Sequence, residues 1–180
     1  MQTVSSLLTM QGWLRRLIEK EQIQLKCPQF DDSAKLYSLA APAVHIGYIP
    51  PKAELNPGDE IRIPCLVAGV TEVSGDEDNT TLNLQITAVV WDPGIQSPSE
   101  LANQTRLAAN FDGYITLLNL LDRVKLWVQR EDGIAGIFQL ESALRLKTYD
   151  EQPWPYWYGN LSFTVSCGPD PKIRYADALN

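Results

Sequence analysis

Two stretches of the chain carry apolar residues at the three- and four-residue steps of an amphipathic helix. The first lies near 4–20, and the second lies near 112–130, where Asp112 is a plausible N-cap or first-turn acid. Charged residues occupy most of the opposite face of each predicted helix. The apolar positions are Val4, Leu7, Leu8, Leu14, Leu17 and Ile18 in the first helix and Ile115, Leu117, Leu118, Leu121, Val124, Leu126 and Val128 in the second.

Between and after these helices, β-type patterns predict two hairpins. The longer one runs from Ile61 to Trp91 around a polar turn at 74–79. In its second strand, apolar and polar residues alternate through 82–88, so one face should be buried and the other should be wet or touch a partner. The shorter hairpin joins the alternating segments 144–149 and 156–165 through a proline-stiffened link.

This order of elements predicts an α+β fold, read as helix, hairpin, helix, hairpin. Strands joined by short turns pair antiparallel, so we expect one antiparallel β-sheet with both main helices packed on one face. Short strands are also predicted at 23–26 and 43–48, with a loop at 29–41. We assign residues 1–167 to a single domain and residues 168–180, which hold two prolines and no apolar period, to a C-terminal tail.

Composition and charge narrow the class of protein. The 180 residues include 15 Lys and Arg against 22 Asp and Glu, for a net charge of −7, which disfavours a main role in nucleic-acid binding. No apolar run approaches the ~20 residues that span a bilayer, and the N-terminal segment does not resemble an export signal. The three cysteines, Cys27, Cys65 and Cys167, are expected to be free buried thiols.

Residues that carry chemistry are few and scattered. His45 is the one histidine, and it lies between two apolar residues. No nucleophile elbow, zinc-ligand spacing or glycine-rich phosphate loop occurs in the sequence, so we expect no catalytic site, no metal and no cofactor. The alternative is an enzyme or ligand-binding domain whose site uses scattered residues such as His45, Asp31 and Asp32.

Beyond Arg62 the long hairpin carries charge of one sign only. No Lys or Arg occurs between Arg62 and Arg106, and the predicted tip carries Asp76, Glu77 and Asp78. One interpretation is a solvated turn that prevents random strand pairing. The other is an arm that docks on basic groups. The candidate partners on an adjacent copy lie outside the apolar stripe of the second helix: Arg123, Lys125 and Arg130.

Aromatic residues concentrate where the second hairpin turns. The run 154–158 holds two tryptophans and two tyrosines. They could fill the core at a stiff corner, or they could form an interface patch, since Trp and Tyr are favoured at protein contacts. For the interface we single out Trp154 and Tyr156.

Two segments also carry a family resemblance. The second helix opens with the pattern D-x-x-x-x-L-L-x-L-x-x-R at 112–123, and the link into the last strand reads E-Q-P-x-P-x-x-x-G at 151–159. Together with the strand 82–91 and the order of elements, these segments resemble the tail terminator and tail-completion proteins of long-tailed bacteriophages. The likeness covers about half of the chain closely, and its motifs are structural rather than catalytic.

The resemblance implies an assembly function without catalysis. Proteins of this family form a ring, usually hexameric, on the upper end of the tail tube, where they stop tube polymerisation and offer a surface to the head. The implied partners are further copies of the chain, the tail tube protein and a head-completion or connector protein. The implied location is the virion tail, assembled in the cytoplasm of a bacterial host. Another neck or tail adaptor protein is the alternative within the same class.

Overall fold

A computed structural model describes residues 2–28, 37–49, 61–75, 79–93, 112–130, 134, 136 and 138–167. Within these ranges the chain forms two helices and eight strands. In chain order the elements are α1 (Gln2–Lys20), β1 (Leu25–Pro28), β2 (Tyr37–Ala40), β3 (Ala43–Ile46), β4 (Cys65–Gly75), β5 (Thr80–Trp91), α2 (Asp112–Arg130), β6 (Gln139–Leu140), β7 (Arg145–Thr148) and β8 (Tyr156–Cys167).

Six of the strands form one mixed sheet. Its order is β3-β4-β5-β8-β6, and β7 also pairs with β8. The pairs β4–β5, β5–β8, β6–β8 and β7–β8 are antiparallel, whereas β3 runs parallel to β4. The central pair is β5–β8, which holds an unbroken register from Thr80↔Cys167 to Trp91↔Tyr156.

The predicted fold class was wrong in its element order and in its purely antiparallel sheet. Three short strands precede the long hairpin, and β6 precedes the hairpin that β7 and β8 form. Strands also hold more residues than helices. The parallel pair is possible because residues 47–64 separate β3 from β4, and a parallel connection needs a dozen residues or more. The prediction had assumed that every neighbouring pair of strands is joined by a short turn.

Both helices lie on the same face of the sheet, called the helix face below. Their apolar side chains join those of the central strands in one core, in which Leu14 of α1, Leu121 of α2 and Ile86 of β5 are fully buried. The helices meet through an edge-to-face contact of Trp13 and Trp127, with ring centroids 6.1 Å apart. Burial of this face is the main stabilising term of the fold.

The buried face of each helix is shifted relative to the apolar stripe that the sequence indicates. In α1, Val4 and Leu8 are each 52% exposed, whereas Met10 and Trp13, which lay outside the predicted stripe, are buried. Near the N-terminus of α1 the buried residue is Ser6, so the apolar period there does not coincide with the buried face. In α2, Ile115 and Leu126 are exposed, whereas Leu120 and Trp127 are buried.

Residues 29–41 were predicted to be a loop, but 37–40 form β2, which pairs with β1 in a separate two-stranded sheet. The pattern is hidden because Tyr37 and Leu39 are exposed while the small residues between and after them are half-buried. This small sheet is tied to the end of β5 by an ion pair in which the Lys26 Nζ lies 2.7 Å from the Asp92 Oδ1.

Some predicted features lie outside the described residues. They are the hairpin tip with Asp76, Glu77 and Asp78, the insertion within 95–110, the acids Asp31 and Asp32, and the tail 168–180. The two strands of the long hairpin are described, and its antiparallel pairing is confirmed.

Candidate functional site: the open edge of β4 and the outer face of the sheet

One strand of the long hairpin continues beyond its neighbour. The β3–β4 pairing ends at Ile46↔Ala68, so among the described residues Val70–Gly75 pair only with β5. This segment is called the open edge of β4. On its other side the hairpin does not stand alone, because β8 accompanies β5 as far as Thr80. β6 pairs with the same end of β8, so the hairpin belongs to a four-stranded end of the sheet, on which β4 is the unpaired edge among the described residues.

The open edge has one feature that hinders pairing with a further strand and one that favours it. The register shifts between Val70 and Glu72, and such a bulge twists an edge strand. Val73 is nevertheless 48% exposed, although its cross-strand partner Leu82 is fully buried. An apolar side chain on an edge with free backbone groups is a template for another strand.

Glu72 is held in place by a row of hydrogen bonds across three strands. The Thr164 hydroxyl donates to the Asn83 Oδ1 at 2.7 Å, and the Asn83 Nδ2 donates to the Glu72 Oε2 at 2.8 Å. The row runs over the side of the sheet opposite the helices, called the outer face below. It fixes a carboxylate at the open edge, where a neighbouring molecule can meet it.

The outer face changes character along the strands. Toward Trp91 it is apolar, with Cys65, Val67 and Val89 buried beneath residues that include Ile49 and Ile63. Toward Thr80 the alternate residues of β5 are polar and half-buried. The predicted alternation of a buried and a wet face is confirmed for this part of β5.

The residues proposed for an interface lie in two places. Arg123 and Arg130 are exposed on α2, with Lys125 half-buried between them, so they belong to the helix layer. Trp154, which is 48% exposed, and the half-buried Tyr156 lie at the start of β8. The neighbouring Trp157 is buried and donates its indole N–H to the Asp92 carbonyl at 3.1 Å, so the aromatic run serves both the core and the surface.

A cleft on the outer face was missed by the sequence reasoning. It has a volume of about 420 Å³ and lies where the apolar and polar parts of that face meet. Its described lining comes from five places in the chain: Gly47, Tyr48 and Ile49; Gly69, Val70 and Thr71; Gln85 and Thr87; Tyr149; and Tyr158. The one available signal was the set of tyrosines next to predicted strands, and nothing in the sequence brings them together.

The surroundings of His45 are known within the part of the chain that the structure describes. There its buried Nε2 has no hydrogen-bond partner, and no group of three potential metal ligands occurs. We expect His45→Ala to change the free energy of unfolding by no more than about 1 kcal/mol and to leave assembly intact, because it removes an unsatisfied polar atom along with some packing. Urea titration and size-exclusion chromatography check this. A loss of several kcal/mol or of assembly would contradict it.

The thiols differ in accessibility. Cys65 and Cys167 are buried and Cys27 is half-buried, and all three are thiols rather than disulfides. Burial raises the pKa of the Cys65 thiol from 9.0 to about 12. At pH 8 only about one Cys65 in ten thousand is a thiolate, so we expect iodoacetamide to leave it unlabelled in the folded protein and to label it in urea.

The same pKa predicts how stability depends on alkaline pH. Because the folded-state pKa lies above the unfolded one, the contribution of Cys65 is fully present below about pH 9 and is lost as the pH rises toward 12. Mass-spectrometric mapping of the labelled cysteines checks the labelling prediction. Alkaline unfolding of Cys65→Ala, compared with the unmodified protein, checks the pH dependence of stability. Equal labelling of Cys65 in the folded and unfolded protein would contradict the prediction.

Comparison with known proteins adds no relative. No protein-family model matches the chain, and no curated protein matches it either. Neither described helix combines the length and the apolar character needed to cross a membrane.

Proposed function

We propose that the protein is a structural component of a long-tailed bacteriophage that assembles as a ring of identical subunits on the tail tube. The ring ends tube polymerisation and presents a surface to the head-completion or connector protein. It belongs to the virion tail and is assembled in the host cytoplasm. The single observation that carries the proposal is the open edge of β4, where Val73 is exposed on a strand segment that pairs only with β5 among the described residues.

A ring built by rotation requires two different surfaces, each of which meets the other on the next copy. The sheet has unpaired edges at both ends within the described residues. The open edge of β4 carries Glu72, and β7, at the opposite end, carries Arg145 and Lys147, all three exposed. Opposite charges at the two edges favour head-to-tail contact and disfavour contact between identical edges.

The acidic tip supports the same arrangement. The sequence continues from the open edge directly into Asp76, Glu77 and Asp78. Identical acidic tips repel each other, so they require basic groups on the tube or on an adjacent copy, for which Arg123, Lys125 and Arg130 are the candidates. Exposed pairs contribute only about 0–1 kcal/mol each, so they set register and encounter rate more than affinity.

We expect the variant D76N/E77Q/D78N to assemble more slowly than the unmodified protein at low salt and at a similar rate at high salt. The reason is that salt screens the attraction that the three carboxylates supply. Light scattering at low and high ionic strength measures the rate. An unchanged rate and salt response would mean that the tip is a solvated turn.

The location on the tube can be tested directly. Gold-labelled protein is mixed with tail tubes of the phage that encodes it, and the positions of the label are scored by electron microscopy. Label at one end of each tube is the expected result. Label along the tube or no label would contradict the terminator function, and label on isolated heads would favour the alternative of a different neck adaptor.

A further inference from the structure

The cleft on the outer face lies between two walls, and the first of them depends on two glycines. One wall is the chain that leaves β3. Gly47 has a φ of +109°, a conformation that side chains disfavour, and a Cβ on Gly69 would lie 2.8 Å from the Gly47 carbonyl oxygen. These two glycines let the chain turn tightly over β4. The turn leaves Tyr48 77% exposed at the rim.

The facing wall is a pair of stacked tyrosines. The rings of Tyr149 and Tyr158 lie 5.9 Å apart at an interplanar angle of 22°. Gln152 fixes both residues: its Nε2 donates to the carbonyl oxygens of Tyr149 and Tyr158 at 2.8 Å each, and its Oε1 accepts from the Tyr158 N–H at 2.6 Å. The wall is therefore preorganised, which lowers the entropic cost of binding a ligand.

The floor between the walls is polar and uncharged. The Gln85 Nε2 donates to the Thr87 hydroxyl at 3.2 Å, and Thr71 completes the polar lining. None of the described lining residues carries a full charge at pH 7. The volume of about 420 Å³ lies within the usual range of small-molecule sites. A charged ligand would lose its hydration here without gaining an ion pair among these residues.

We propose that this cleft binds a neutral saccharide. A pyranose ring has an apolar C–H face that can stack on Tyr48 or on Tyr149, and a rim of hydroxyl groups that both donate and accept hydrogen bonds. The amide of Gln85 and the hydroxyls of the lining residues also both donate and accept. A proline-rich peptide would use the aromatic walls too, but its prolines offer only acceptors, so the acceptors of the floor would remain unpaired.

The test uses saturation-transfer NMR on the full chain with cellobiose, maltose and N,N′-diacetylchitobiose, and with a hexaproline peptide for comparison. We expect saturable binding of at least one disaccharide and none of the peptide. Tyr48→Ala should weaken binding at least fivefold. The matched control is Tyr37→Ala, since Tyr37 is a 53% exposed tyrosine on β2 outside the cleft, and this variant should bind as the unmodified protein does.

A second variant tests the floor. Gln85→Met preserves the size of a half-buried side chain and removes its hydrogen bonds, so it should also weaken binding at least fivefold while circular dichroism shows the fold intact. Two results would overturn the proposal: no disaccharide binds, whether or not the peptide does, or Tyr48→Ala and Gln85→Met bind like the unmodified protein. Val70 and Thr71 line the cleft and also belong to the open edge of β4, so sedimentation velocity records the oligomeric state of each NMR sample. Loss of sugar binding without a change in oligomeric state would contradict the cleft proposal alone, whereas failure to form rings would contradict the proposed function alone.

Discussion

Replacement of Gly113 by alanine is expected to destabilise the protein by about 3 kcal/mol. A Cβ at this position would lie 2.0 Å from the Trp157 Nε1 and 2.4 Å from its Cδ1. The indole must then move, and its hydrogen bond to the Asp92 carbonyl at 3.1 Å is lost within a buried region. Alanine's better helix propensity, worth up to about 1 kcal/mol, offsets only part of this cost.

Gly12→Ala is the matched control for this prediction. Gly12 also lies within a helix, but apart from the helix's own nearby backbone no heavy atom of the described residues lies within 4 Å of its added Cβ. There the propensity effect acts alone, so the substitution should be neutral or should stabilise by up to about 1 kcal/mol. Urea unfolding of the two variants measures the difference. If Gly113→Ala were as stable as Gly12→Ala, the described packing of α2 against β8 would be wrong.

Val73→Asp is expected to prevent ring assembly while leaving the folded subunit almost unchanged. Val73 is 48% exposed on the open edge of β4, so the substitution should destabilise the subunit by only about 1 kcal/mol, the span of β-propensity between valine and aspartate. In a ring, however, the same residue would lie against the next copy, where an unpaired carboxylate loses its hydration. A charge on an edge strand also disfavours the addition of another strand.

The matched control is Val4→Asp, which makes the same substitution at a valine of similar exposure, 52%, in the first turn of α1. It should assemble like the unmodified protein, and sedimentation velocity distinguishes subunits from rings for both variants. Normal assembly of Val73→Asp, or an equal defect in Val4→Asp, would contradict the proposal that the open edge of β4 lies in the ring interface.

Local patterns predicted the parts of the fold whose burial is decided locally. The second helix was expected near 112–130 and is observed at Asp112–Arg130, because a wide apolar stripe and an acidic first turn coincide there. The long hairpin and the alternation in β7 and β8 followed from period-two patterns in strands with one buried face.

The errors arise where distant segments decide the structure. Nothing local to Ala43–Ile46 states that its partner is β4 in a parallel pair, since the connection occupies 47–64. In β2 the exposed residues are the larger apolar ones, which inverts the expected pattern. β6 is only two residues long and forms because β8 extends beyond β7.

One part of the candidate site could be predicted from the sequence and the rest could not. The acidic character of the hairpin could be predicted from composition, because charge is a property of the sequence alone. The open edge could not, because it depends on where β3 ends relative to β4. The cleft depends on Tyr48 and Tyr158, which are far apart in sequence. They line the same cleft only because of the register of the sheet.

Ring formation is tested most directly by electron microscopy of the purified, unmodified protein in negative stain, combined with native mass spectrometry. The proposed function predicts closed rings with a central pore as wide as a tail tube. It also predicts a mass that is a whole multiple of 20.2 kDa, with six copies as the number that the family resemblance implies. Compact particles of a single 20.2 kDa subunit at every protein concentration would contradict it.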